Sequence, residues 1–303
     1  MNTQTQQKIL VLFDGSQRSR QTVEQLAWME PFKTREIVLF QVFADFPENY
    51  WDLTWEKNNA RAVAQFAEWR KRMADENHMY LETARKVLLN AGFDARRVSV
   101  KLQKQERDVA TDILAEARNG YHAVIMRRRG MNTIQNVVLG SVSSKLLASL
   151  SDQPVLLMGK RSLNKKMVIG IDGSPSSMQA VKFVAGLYGG HGYMVELLHV
   201  IRSHNLDFMP TEMIEAHRQR MERTFSEMRE ILVAAGFEAE NVEGKIITGA
   251  ESRSEAIVVE AESDDTGAIV VGRRGLSRVQ AFFMGRVSNK VVHRGKEFSV
   301  WVI

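Results

Sequence analysis

Short runs of hydrophobic residues alternate with longer amphipathic segments along the whole chain. A continuous apolar run bounded by turn residues is typical of a strand buried on both faces, and apolar residues that recur every three or four positions predict a helix. The clearest predicted strands are ILVLF, IVLFQVF, AVIM and PVLLMG in the first half, and VELLHVI, VEGKIIT, AIVV and FSVWVI in the second. This alternation predicts an α/β protein with a mainly parallel sheet.

The chain contains an internal sequence repeat, so this pattern of strands and helices occurs twice. Asp14-Gly15-Ser16 returns 158 residues later as Asp172-Gly173-Ser174, and Gly140 returns 145 residues later as Gly285. The first copy is longer because of an insert after its second strand. We therefore predict two tandem doubly wound domains over residues 1–160 and 161–303. Each would carry a five-stranded, mainly parallel sheet with helices on both faces.

Composition narrows the class of protein. The chain has 303 residues with no cysteine, which excludes disulfides, thiolate metal sites and cysteine nucleophiles. A net charge of +5 permits attraction to phosphate but does not require a nucleic acid, and no nucleic-acid module motif accompanies it. The polar start lacks the zones of a signal peptide, and no apolar run approaches the roughly 20 residues of a membrane span. We expect a cytoplasmic protein that does not contact a membrane.

A ligand crevice is expected at the carboxyl ends of the strands. In the second repeat Asp172 follows the first strand, and Gly272, Gly275 and Gly285 follow the fourth and precede a helix. Glycines let backbone N–H groups approach phosphate oxygens, and a helix N-terminus attracts anions. The spacing alone is a weak pattern, since such glycines can serve only to make turns. Its occurrence after a strand, before a helix and in two copies strengthens it.

The Asp-Gly-Ser ends of the first strands, the LLHV of the second strand and VVGRRGL…GRVSNKV resemble the universal stress protein family over nearly the whole chain, twice. The resemblance implies an adenine-nucleotide alpha hydrolase-like fold, with the two domains packed as a pseudo-dimer through their last strands. It also implies binding of ATP or AMP, with Mg²⁺ as a further candidate. It assigns the second-repeat site to Asp172, Gly173, Val200, Gly272, Gly275, Gly285, Arg286, Val287 and Ser288. It assigns the first-repeat site to Asp14, Val42, Gly130, Gly140, Ser141 and Ser143.

Neither repeat matches the family pattern in full. The second has Arg286 where a hydroxyl residue follows the last glycine, and the first has Arg127 where the first glycine belongs. Arg286 can donate to a phosphate, fill the phosphate space or point to solvent. We expect a non-enzymatic stress-response regulator that binds nucleotide chiefly in the second domain. The alternatives are an interaction scaffold with two degenerate sites and an adenylyl-transfer enzyme, for which no catalytic motif is found.

Three other features have a structural and a functional interpretation. The arginines of residues 126–130 and 273–274 form either a solvated charged loop, which we favour, or a phosphate patch. His199 is expected to make a structural hydrogen bond rather than to catalyse. The insert carries Trp51, Trp55, Phe66 and Trp69, which we expect to pack on their own domain. The same residues are candidates for a lid or for a contact with a protein partner or a second copy.

Overall fold

The computed structural model describes residues 7–43, 60–128, 139–161, 164–203, 210–274 and 284–303, with the side chains of residues 60–66 excepted. The predictions for Gly130, Gly275, Trp51, Trp55 and Phe66 therefore lie outside the described residues. The chain divides into two compact units. Unit 1 comprises Met1–Trp28 and Phe32–Met126, and unit 2 comprises Met29–Pro31 and Arg127–Ile303.

The first strands and helices alternate as the sequence predicts. In chain order they are β1 (Lys8–Leu12), α1 (Gln17–Ala27), β2 (Glu36–Phe43), α2 (Ala60–Asn90), β3 (Val98–Lys104), α3 (Val109–Ala117) and β4 (Ala123–Arg127). The strands lie in the order β3-β2-β1-β4, and β1 pairs parallel with both β2 and β4. The strand residues Ile9, Leu10 and Val11 are fully buried, as expected for a strand covered on both faces.

Unit 2 contains the remaining elements. These are α4 (Ser141–Ser149), β5 (Val155–Met158), β6 (Lys166–Gly170), α5 (Pro175–Tyr188), β7 (Met194–Arg202), α6 (Thr211–Ala234), β8 (Val242–Ala250), α7 (Arg253–Ser263), β9 (Ala268–Val271), α8 (Arg286–Arg294) and β10 (Ser299–Val302). The strand order is β5-β10-β9-β6-β7-β8. Short 3₁₀ turns cover Glu30–Phe32 and Ala239–Asn241.

All strand pairs of unit 2 are parallel except β5 with β10, which run antiparallel with Trp301 opposite Leu156. These are the last strands of the two sequence repeats. Each of these apolar strands would otherwise present an unpaired edge, and their pairing satisfies the backbone groups of both. The predicted α/β class and mainly parallel sheet are confirmed. Among the described residues, no helix combines the length and the apolar character that a membrane span requires.

The turn after the first strand has the same construction in both repeats. Gly15 and Gly173 adopt positive φ angles of 74° and 75°, a region that suits glycine. Ser16 and Ser174 then cap α1 and α5 by accepting hydrogen bonds from backbone N–H groups three residues on, each at 3.2 Å. This geometry fixes the direction in which the preceding aspartate leaves the strand.

Candidate functional site

The predicted second-repeat site begins at Asp172, directly after β6. Its Oδ1 accepts a hydrogen bond from the backbone N–H of Ser174 at 3.0 Å, and the residue is half-buried. Asp14 accepts the equivalent bond from Ser16 at 3.0 Å in the first repeat but is exposed. In both repeats the turn holds the carboxylate in place, so a ligand group would meet a preoriented acceptor.

The exit of β9 is joined to the first turn of α5. A side chain at Gly272 would place its Cβ 2.7 Å from the backbone carbon of Ser176, closer than real Cβ contacts allow. Next to it, the N–H of Arg274 donates to Ser176 Oγ at 3.2 Å, and Ser174 Oγ donates to the Arg274 carbonyl at 3.4 Å. The protein's own packing therefore requires a glycine at position 272, with or without a ligand.

The first turn of α8 contributes the helix N-terminus of the site. Gly285 is the N-cap residue, makes no side-chain cap bond, and donates its N–H to the Arg273 carbonyl at 2.7 Å. The buried Ser288 donates its hydroxyl to the Gly272 carbonyl at 2.6 Å. Arg286 is exposed and Val287 is half-buried. An anion at this turn would thus meet backbone amides and the Arg286 side chain.

Val200 is buried and lies two residues before the end of β7. Its carbonyl accepts a hydrogen bond from Arg253 Nε at 3.2 Å. Burial and the charge of Arg202 lower the pKa of Arg253, whereas the carboxylate of Asp172 raises it. Arg253 is therefore a residue that sequence reasoning missed, and it donates to the carbonyl of Val200, which the resemblance assigns to the site.

His199 makes the structural hydrogen bond predicted for it. Its Nδ1 lies 2.7 Å from the carbonyl oxygen of Ile171, and because that oxygen can only accept, Nδ1 carries the proton. Its Nε2 lies 2.9 Å from Nε2 of His217 on α6, a partner that the sequence did not indicate. Burial lowers the pKa of both histidines, and Arg253 contributes to each shift. The neutral pair bridges β7 to α6.

The first-repeat residues fall in different units. Asp14 and the half-buried Val42 belong to unit 1. Gly140, the N-cap residue of α4, belongs to unit 2 with the exposed Ser141 and the buried Ser143.

The interpretation of the arginine runs as a solvated loop is wrong for Arg128 and Arg273, each of which is only 4% exposed. Both lie in unit 2, and each donates a hydrogen bond to the helix that follows the other arginine in the sequence. Arg273 Nη1 donates to the Leu147 carbonyl near the end of α4 at 2.6 Å, and Arg128 Nη1 donates to the Val292 carbonyl near the end of α8. Burial lowers the pKa of each guanidinium to about 10. A cation at a helix C-terminus is electrostatically favoured, which explains the placement.

Of the four aromatic residues singled out in the insert, Trp69 is the one whose side chain is described. It lies on α2 and is half-buried.

Comparisons with known proteins agree with this architecture. The sequence profile of the universal stress protein family matches residues 6–158 and 163–303. A universal stress protein of Mycolicibacterium smegmatis is 25% identical over 217 residues, covering 70% of this chain and 71% of that protein. A universal stress protein structure from Archaeoglobus fulgidus matches with a TM-score of 0.65 at 20% identity, covering 98% of both chains. A functionally unknown protein from Pseudomonas aeruginosa PAO1 matches with a TM-score of 0.60 at 18% identity, covering 99% of this chain and 93% of that one. At such identities the two structures inform on the fold alone.

Proposed function

Because the chain belongs to the universal stress protein family, we propose that it is a stress-response regulator that binds an adenine nucleotide, ATP or AMP, chiefly in its second repeat. The observation that carries this proposal is the first turn of α8. Its N-cap residue Gly285 has no side-chain cap, and the exposed Arg286 is the next residue. Backbone amides and a guanidinium at one helix N-terminus are suited to phosphate oxygens.

The remaining roles follow from the resemblance. Asp172, held by the Ser174 N–H, and the backbone near Val200 would hold the adenosine. Gly272 keeps the strand exit close to the first turn of α5. Mg²⁺ would accompany the phosphates through their own oxygens. We propose no catalytic residue, so turnover should be slow or absent.

A nucleotide-free scaffold is the second candidate, and specific contacts favour it. The Val200 carbonyl is engaged by Arg253, and the Ser288 hydroxyl is engaged by the Gly272 carbonyl. Each contact satisfies, within the protein, a group that the family pattern assigns to the ligand. A nucleotide would then have to share the Val200 carbonyl with Arg253, displace Arg253 or bind without this carbonyl.

The first experiment is mass spectrometry of small molecules released when the purified full-length protein is denatured. Equilibrium titration with a fluorescent ATP analogue follows, comparing the wild type with Arg286→Glu. Reversing this charge should weaken binding about tenfold or more, which corresponds to about 1.4 kcal/mol. Product analysis after incubation with ATP tests the absence of turnover.

Two matched variants serve as controls. One tests whether any charge reversal on α8 weakens binding, and the other tests whether the first repeat takes part in it. Lys290→Glu reverses an exposed charge one turn further along α8, and Ser141→Glu places an acid at the equivalent position of α4. Both should leave the affinity unchanged. Absence of any saturable binding by the wild type would support the scaffold, and equal weakening by Ser141→Glu would contradict the preference for the second repeat.

A further inference from the structure

Unit 2 contains a carboxylate cluster remote from the strand ends that form the nucleotide site. It consists of Glu196 near the start of β7, Glu260 on α7 and Asp264 just after α7. One carboxylate oxygen from each residue lies within 4.8 Å of the others. Glu196 is only 6% exposed, so it points from the sheet into the space beneath α7 rather than into solvent.

Two lysines neutralise part of this charge. Lys245 Nζ lies 2.5 Å from Glu260 Oε1, and Lys166 Nζ pairs with Asp264 Oδ2. Glu196 has no such partner: its buried Oε1 makes no hydrogen bond to any described residue. Three carboxylates therefore share two ammonium groups.

In the first repeat, the equivalent carboxylate receives hydrogen bonds from neighbouring side chains. Glu116, the counterpart of Glu260, accepts hydrogen bonds from Lys101 Nζ at 2.6 Å, Asn119 Nδ2 at 2.9 Å and the Tyr121 hydroxyl at 2.5 Å. Val38 stands at the position of Glu196, 158 residues earlier. This site has one carboxylate and three donors.

At the equivalent positions, the second repeat has more acidic residues and fewer hydrogen-bond donors than the first. Glu196 replaces Val38, and Thr266 replaces Tyr121. The Thr266 hydroxyl is buried and makes no hydrogen bond to any described residue. An ionised carboxylate placed in a protein interior without a donor is costly unless a cation compensates it or it takes up a proton. A cation bound among the three carboxylates would compensate the charge of ionised Glu196.

We propose that Glu196, Glu260 and Asp264 form a binding site for a hard divalent cation of the size of Ca²⁺. Oxygen ligands on opposite sides of Ca²⁺, at about 2.3–2.6 Å each, are about 4.6–5.2 Å apart, which accommodates the observed 4.8 Å span. The two lysine contacts involve Glu260 Oε1 and Asp264 Oδ2, and each carboxylate has a second oxygen that can face the ion. Mg²⁺, with ligands at about 2.0–2.1 Å, requires a tighter cluster.

The lysines compete with the ion, so the affinity should be in the weak range of protein calcium sites, about 10⁻⁴–10⁻³ M. We would measure the thermal unfolding of chelator-treated full-length protein, without nucleotide, in 10 mM CaCl₂, in 10 mM MgCl₂ and in NaCl of equal ionic strength. CaCl₂ should raise the Tm by about 4 °C over NaCl, and MgCl₂ should raise it less. Isothermal titration with CaCl₂ should give one site per chain.

Glu196→Gln and Glu196→Val, the latter introducing the first-repeat residue, should abolish the calcium-specific shift. Glu222→Gln, which removes an exposed acid from α6, should keep it. If Glu196→Val fails to fold, Glu196→Gln decides. No calcium-specific shift in the wild type, an equal shift in NaCl, or a shift that survives in Glu196→Gln would each overturn the proposal. None of these outcomes bears on nucleotide binding.

Discussion

Replacing Arg273 with alanine would remove a cation from the interior of unit 2. Its Nη1 donates to the Leu147 carbonyl at 2.6 Å, and its Nη2 donates to the Gln153 carbonyl at 3.3 Å. Its Nε is buried and makes no hydrogen bond to any described residue. The substitution therefore leaves two backbone acceptors near the end of α4 without their donors and opens a cavity where the side chain lay.

The magnitude follows from opposing contributions. Hydrogen bonds from a charged donor contribute about 1.5–3 kcal/mol each, so the two bonds represent about 3–6 kcal/mol. The desolvation of a buried guanidinium costs several kcal/mol and offsets part of this. We expect Arg273→Ala to lower the free energy of unfolding by about 3 kcal/mol. For a unit of this size, that change lowers the Tm by about 6–12 °C.

Differential scanning calorimetry and urea unfolding of the full-length chain would measure the loss. The neighbouring exposed Arg274 supplies the control, because Arg274→Ala should change stability by no more than about 0.5 kcal/mol. Arg128→Ala, which removes the reciprocal bond to Val292, should resemble Arg273→Ala. The reasoning is refuted if Arg273→Ala is as stable as Arg274→Ala.

Three further substitutions test local features of unit 2. Gly272→Ala should lower the free energy of unfolding by about 1–3 kcal/mol, because the new Cβ would meet the backbone of Ser176 at 2.7 Å. Gly186 lies on the exposed part of α5, where a Cβ meets nothing within 4 Å, so Gly186→Ala should instead stabilise the protein by up to about 1 kcal/mol. If the two variants had equal urea midpoints, both expectations would be contradicted. Since the folded pKa of His199 and of His217 lies below the ordinary value, the unfolded chain takes up more protons, and stability is lost as the pH falls below about 6.5. His199→Gln should reduce this decline in urea midpoint between pH 8 and 5, and an unchanged slope would exclude the pair as its source.

Features set by local sequence were predictable. The Asp-Gly-Ser turns formed as expected because a positive φ angle at Gly15 and Gly173 and a serine N-cap are properties of the segment itself. The strand and helix pattern follows in the same way from the spacing of apolar residues. The pairing of the last strands was expected on general grounds, since each would otherwise be an exposed apolar edge.

Features that depend on distant partners were not predictable. Arg273 resembles any loop arginine until the Leu147 carbonyl, 126 residues away, is known to lie beside it. Arg253 reaches the Val200 carbonyl from 53 residues away, and this contact changes what the strand end can offer a ligand. One sequence pattern did point to the buried arginines: Arg128 and Arg273 occupy the same position after the fourth strand of each repeat.

The boundary between the two sequence repeats and the boundary between the two compact units do not coincide. Strand β5 and helix α4 precede residue 161, yet they belong to unit 2 through the antiparallel pair with β10 and the bond from Arg273. The two sequence repeats therefore do not correspond one to one with the two compact units. A recombination event that replaced residues 1–160 with an unrelated first half would take away the neighbour of β10. A fragment meant to isolate unit 2 would therefore have to include α4 and β5 together with the second repeat.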